Sequence, residues 1–200
     1  DAGRQERPFI RTDKPLPRAW PDPTALSHVM GIIKASERPL IIGGHGVWWS
    51  GAEAALESAG KMLRLPVFNV PYHSKLLGEE CDAYMGLADF HQYHPSKPAI
   101  HEADVVIMIG GRLDNQMNFG NPPFFQKDTT LICVNGSHEE LDYNRAADEM
   151  LLSDPGAFLN ALMSVGKTWD SWFNLQKKRR ADWVQEWETH IATETARDLA

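Results

Sequence analysis

Pro39-Leu40-Ile41-Ile42-Gly43-Gly44-His45-Gly46 decides how this chain reads. A short apolar run closed by glycines is the pattern of a buried strand ending in a tight turn. Ser50-Gly51-Ala52-Glu53 follows. Ser50 and Glu53 have capping-box spacing, in which each side chain satisfies an orphan N–H of a first helical turn. Ala52, Leu56, Ala59 and Leu63 then form an apolar stripe at helical spacing. The unit is therefore strand, turn, helix. Such a turn brings backbone N–H groups and a helix N-terminus close to an anion, usually a phosphate. Nothing else in the chain reads as catalytic machinery, so the expectation is a chain that binds or supports a nucleotide-like group.

Outward from this unit the same grammar repeats. Val67-Phe68-Asn69-Val70 predicts the next strand, and Val105-Val106-Ile107-Met108-Ile109, ending in Gly110-Gly111, is the clearest buried one. Leu131-Ile132-Cys133-Val134 ends at Asn135-Gly136, and Glu149 to Leu152 is a weaker strand. Asp22-Pro23 and Asp154-Pro155 each suit an N-cap followed by proline in the first helical turn. Leu26, Val29, Met30 and Ile33 predict an amphipathic helix over 23–37, and Phe158, Leu159 and Leu162 another after Asp154. A short helix is expected from Pro95 to Glu102. Residues 71–94 read as mostly irregular and 112–128 as a loop with Pro122-Pro123, of which Phe119 to Phe125 is rigid. Trp48-Trp49 reads as buried packing after a strand, with a stacking surface as the alternative. Continuous apolar strands alternating with helices mean a parallel sheet covered on both faces. Ligands of open parallel sheets bind at the carboxyl edge, where Gly43, Gly110 and Asn135 fall.

Composition narrows the classes. Two hundred residues, 42% of them hydrophobic, suit one domain with appendages. The net charge of −7 argues against a nucleic-acid partner, and Lys177-Lys178-Arg179-Arg180 reads as a solvated helix face. No apolar run approaches the roughly 18 residues of a membrane span. Cys81 and Cys133 are the two cysteines, and Cys133 sits in an apolar run. A disulfide is not expected, and a reducing cytoplasm is the default. The chain begins with Asp1, so the expectation is a piece cut from something longer. Residues 1–22, with Pro8, Pro15, Pro17 and Pro21, read as a linker. Residues 23–166 are the domain. Residues 167–200 read as a long helix with an aromatic face of Trp169, Trp172, Phe173, Trp183, Trp187 and Ile191. Such an area is too large to leave wet. It packs either on this domain or on a neighbouring domain or subunit.

The order of these motifs resembles a known family. Pro39 to Gly51, Leu65-Pro66-Val67, Ser74-Lys75, Met85-Gly86-Leu87, Glu102-Ala103-Asp104, Ile109-Gly110-Gly111-Arg112-Leu113, Val134, Asn144 and Ser153-Asp154 look like the central domain of thiamine-diphosphate-dependent enzymes. That family includes acetolactate synthase, oxalyl-CoA decarboxylase, 2-hydroxyacyl-CoA lyase and benzaldehyde lyase. The similarity covers about residues 20–165, and its weight lies in the ordered set.

The resemblance implies an α/β, Rossmann-like fold: a six-stranded parallel sheet with flanking helices, an N-terminal linker and a C-terminal helical extension. It implies two partner domains outside this chain, one binding the cofactor's pyrimidine and one its diphosphate. Thiamine diphosphate and Mg2+ belong to those domains, and no Gly-Asp-Gly motif occurs here. The chain alone is therefore expected to be inactive, and its parent a homo-oligomer. Where such domains bind a nucleotide, it is FAD, ADP or the CoA adenosine part. The matching positions are Gly44, His45, Gly46, Lys75, Gly110, Arg112, Asn135 and Gly136. Glycines let the backbone approach a diphosphate, Arg112 offers a planar fork, and Lys75 a point charge. His45 stands where the family usually has glycine. Asn135-Gly136 stands where it often has an acid suited to a ribose hydroxyl. A purely structural domain and a stand-alone nucleotide-binding module are the other readings.

Three rivals have less behind them. Gly44-His45-Gly46 supplies two glycines of a dinucleotide G-x-G-x-x-G, but Trp49 takes the third position. His73, Asp89, His91, His94 and His101 cluster in sequence without a recognised zinc spacing, and read as loop-packing groups. No G-x-S-x-G nucleophile elbow exists.

Overall fold

The computed structural model describes residues 17–71, 76–91 and 95–198. Lys75, His73 and His94 lie outside them, as does most of the expected linker. The described elements run α1 (Pro23–Ala35), β1 (Pro39–Gly43), α2 (His45–Trp49), α3 (Glu53–Leu63), β2 (Val67–Asn69), β3 (Tyr84–Leu87), α4 (Ser96–Glu102), β4 (Val105–Ile109), β5 (Thr130–Asn135), β6 (Glu149–Leu152), α5 (Pro155–Leu162) and α6 (Asp170–Asp198). Six strands form one sheet in the order β3-β2-β1-β4-β5-β6. All five pairings are parallel.

The central strands β1 and β4 are continuous apolar runs because helices cover both faces of the sheet there, whereas β6, at the edge, leaves Met150 and Leu152 exposed. Leu40, Ile41, Ile42, Val106, Ile107, Leu131 and Ile132 are fully buried, as are Ile33 of α1, Leu56 of α3 and Phe158 of α5. Both Asp-Pro starts behave as their chemistry dictates. The Asp22 carboxylate accepts from the N–H groups of Thr24 and Ala25, and that of Asp154 accepts from Ala157.

The capping box at α3 does not form. Ala52 is the N-cap residue and makes no side-chain bond. Ser50 closes α2 instead, and Gly51 turns the chain at φ 61°. The Ser50 hydroxyl donates to Asp154 at 2.8 Å and accepts from Arg18 at 2.8 Å. This triad clips the segment before α1 onto the carboxyl side of the sheet, with the Asp154 N–H donating to the Ala19 carbonyl. The stretch read as irregular contains β3, an edge strand of four residues with Gly86 inside it. Trp48 and Trp49 are exposed rather than packed away, Trp49 to 78%.

Helix α6 divides into two parts. Trp172 and Phe173 sit in the core with Trp169, which immediately precedes the helix. The indole N–H groups of Trp169 and Trp172 donate to the carbonyls of Ser36 and Pro39 at 2.9 Å each. Arg179 then reaches Glu102, and Arg180 reaches the Tyr84 carbonyl and Glu79. Beyond these anchors the same stripe continues into solvent. Trp183 and Trp187 stack with centroids 6.1 Å apart, and Trp187 and Ile191 are about half exposed. Packing on this domain thus accounts for the first two tryptophans of the extension and not for the fourth.

Candidate functional site

The strand order reverses between β1 and β4, so the connections leaving their carboxyl tips run in opposite directions and a crevice opens there. The turn after β1 and the turn after β4 fill its floor. They are hydrogen bonded to each other. Gly44 N–H donates to the Ile109 carbonyl at 2.9 Å, and Gly46 N–H to that of Gly110 at 2.8 Å. The approach is so close that a Cβ on Gly46 would lie 2.7 Å from the Gly110 Cα. Glycine is needed here for one turn to approach the other. The amides of Gly44 and Gly46 are used in that contact.

Above this floor lies a cleft of about 450 Å³ lined by His45, Gly46, Trp49, Val70, Gly110, Gly111, Arg112, Asp114, Asn135 and Glu140. Five of the residues expected at a nucleotide site meet in it: His45, Gly46, Gly110, Arg112 and Asn135. Gly44 lies behind, under Gly111. Gly136 faces a neighbouring cavity of about 690 Å³, which also includes Arg18, Ser50 and Asp154 and shares Gly46, Trp49 and Asn135 with the first. Trp49 therefore stands at the junction of the two.

The chemistry of the cleft centres on Arg112. Its Nε donates to Glu140 Oε2 at 2.7 Å, and its Nη2 donates to Glu140 Oε1. The guanidinium also lies over the Tyr143 ring, 4.8 Å from the centroid. Hydrogen bonding from Arg112 holds the Glu140 carboxyl below the usual glutamate range. Asp114 accepts from the Gln116 N–H at 2.9 Å and fixes the turn that follows. Asn135 spans its own loop: Nδ2 donates to the Gly111 carbonyl at 3.4 Å, and Oδ1 accepts from Ser137 N–H at 3.2 Å. The acids absent from positions 135 and 136 thus enter the cleft from Asp114 and Glu140. Position is their one mark in the sequence: Asp114 falls in the loop after β4 and Glu140 in the loop after β5.

Among the described residues, no group of three or more His, Cys, Asp or Glu side chains is placed to hold a metal ion. His91 and His101 are instead hydrogen bonded to the carbonyls of Asn115 and Pro123. No helix among them is long and apolar enough to cross a membrane.

Comparison with known proteins agrees with this architecture. Residues 26–162 match the family described as thiamine pyrophosphate enzyme, central domain. The chain is 26% identical over 149 residues to 2-hydroxyacyl-CoA lyase 1 of Mus musculus, covering 74% of this chain and 24% of that protein. It is 28% identical over 202 residues to the acetolactate synthase large subunit IlvG of Mycobacterium tuberculosis, covering 96% and 31%. The chain thus matches 24% and 31% of the length of these two relatives. The crystal structure of benzoylformate decarboxylase from Polynucleobacter necessarius shares the fold, with a TM-score of 0.64 at 20% identity over 82% of this chain and 31% of that one. By its strand order, its core and the match over residues 26–162, this chain belongs to the central-domain family of thiamine pyrophosphate enzymes.

Proposed function

We propose that this chain serves as the middle domain of a larger thiamine-diphosphate-dependent enzyme that cleaves or forms a carbon–carbon bond beside a carbonyl. The observation that carries the reading is the family match across the whole sheet domain, in relatives about three times as long. The work assigned to residues 23–166 is architectural: they space two catalytic domains. Residues 1–22 lead in from one, and 167–200 lead out to the other. The half-exposed Trp187 and Ile191 support this, because they prolong a face that already packs on the domain. The parent is read as a cytoplasmic homo-oligomer.

Thiamine diphosphate and Mg2+ belong, on this reading, to the flanking domains. The described residues do not fit that group: they assemble no metal-holding cluster, and the acids of the cleft are spent on Arg112 and on a turn. No step of the reaction is assigned to them. The carboxyl-edge cleft is read as the seat of an adenine nucleotide: FAD, ADP or the CoA adenosine part. Its place at the topological switch point, the Arg112 fork and the exposed Trp49 ring support this.

Two experiments test the reading. Calorimetric titration of the chain with FAD, ADP and CoA should find one that binds, with Arg112→Ala weakening it about tenfold. Absence of binding by all three removes the nucleotide role. Sequencing the native transcript on both sides of this segment should find Gly-Asp-Gly downstream. A reading frame that closes near residue 200 overturns the architectural role.

A further inference from the structure

We infer that Glu140 selects what the carboxyl-edge cleft accepts, by holding Arg112 as an internal substitute for phosphate. The inference rests on the nucleotide reading above and adds a regulator to that site. A carboxylate and a phosphate present the same pair of acceptor oxygens to a guanidinium, so a fork filled by one is closed to the other. Arg112 is filled on two of its nitrogens by the two oxygens of one carboxylate. Tyr143 covers the guanidinium face as well.

The charges of the lining make the point sharper. Among the described residues of the lining, Arg112 brings one positive charge, whereas Asp114 and Glu140 bring two negative ones. Toward a diphosphate these three groups are net repulsive until Glu140 turns away. An uncharged nucleoside meets none.

The carboxylate has a means of turning away. Glu140 ends a single 3-10 turn, His138–Glu140, that follows Gly136, where even an added Cβ would meet nothing within 4 Å. The Arg112 side chain is 50% exposed and that of Glu140 25%, so solvent reaches the pair and an incoming phosphate can compete for the same fork. The cleft therefore has two arrangements: Arg112 on Glu140, or Arg112 on an incoming anion with the 138–140 turn released. A ligand moves that balance only through its different affinity for the two.

The test is a titration of wild type, Glu140→Gln and Arg112→Ala with ADP, inorganic pyrophosphate and adenosine. Melting temperatures confirm folding, and Glu140→Ala takes the place of the glutamine variant if that one unfolds. Glu140→Gln should bind ADP and pyrophosphate about fivefold more tightly than wild type, with adenosine unchanged. Binding of ADP by the glutamine variant alone supports the same conclusion in its strongest form. Unchanged ADP affinity in Glu140→Gln, with loss in Arg112→Ala, overturns the inference and leaves the nucleotide reading standing. Weaker binding of both ADP and adenosine places the carboxylate on the ribose and overturns it too. If no variant binds ADP or pyrophosphate, the inference falls, and the nucleotide reading falls with it when FAD and CoA also fail to bind.

Discussion

Gly44 and Gly111 stand so close that a Cβ on the first would lie 2.3 Å from the Cα of the second. The atoms it would meet are all backbone, so no side-chain rotation relieves the clash. The turn after β1 and the turn after β4 are locked as one unit, and any ligand of the cleft rests on that unit. Gly44→Ala should therefore destabilise the chain by about 2–4 kcal/mol. Urea unfolding monitored by circular dichroism measures it. An alanine variant as stable as wild type would mean the turns separate at no cost.

The two halves of α6 should respond differently to truncation. Trp172 fills core volume and satisfies the Pro39 carbonyl. Trp172→Ala removes both, at about 3–5 kcal/mol. Trp172→Phe keeps most of the volume and loses the indole N–H, at about 1 kcal/mol. Trp187 is 52% exposed, so Trp187→Ala should stay within about 0.5 kcal/mol of wild type. Thermal unfolding of the three variants gives the ranking. A large loss in Trp187→Ala would place that ring in a contact within this domain.

Most of the sheet was legible because a strand buried on both faces writes itself as a continuous apolar run. Leu40–Ile42, Val105–Ile109 and Leu131–Val134 each do so. β3 did not, because it has four residues and one of them is Gly86 at φ 111°. The Ser50-to-Glu53 spacing misled for a physical reason. Gly51 reverses the chain there, and the Ser50 hydroxyl finds stronger partners in Arg18 and Asp154. At the cleft, the residues adjacent in sequence to the glycines were legible. Glu140 and Asp114 were not, since each lies several residues beyond its strand, β5 or β4, and only the path of the folded loop turns it back over the cleft. Trp49 read as buried because an aromatic after a strand is usually core, yet Val47 takes the buried position of α2 and Trp49 is left exposed.

The Arg18–Ser50–Asp154 clip should make part of the stability pH-dependent. Burial alone would raise the Asp154 carboxyl. Hydrogen bonds from Ser50, the Ala157 N–H and Arg18 outweigh it and hold the group below its ordinary value of 3.8. A carboxyl lowered in the folded state stabilises fully above its unfolded pKa and loses that contribution as pH falls through the folded one. The clip should hold at neutral pH and fade below 3.8. Asp154→Asn should cost about 1–2 kcal/mol at pH 7 and much less in acid. Unfolding curves from pH 7 down to about pH 3 supply the check. An equal cost at both ends would leave the charge of Asp154 without a part in the clip.

Cys133 should be chemically silent in the folded chain. The residue is 5% exposed, and burial pushes the thiol's pKa up to about 12. Thiolate is the reactive form, so at pH 8 almost none is present, and the little that forms is out of reach. Cys81 is likewise buried and free. Both should resist an aromatic disulfide reagent in buffer and react together once urea passes the unfolding midpoint, because access to them requires opening of the core. Rapid labelling of Cys133 in buffer would show that the β5–β6 end of the sheet opens independently. The exposed Met150 and Leu152 side chains of β6 would then mark the segment that leaves first.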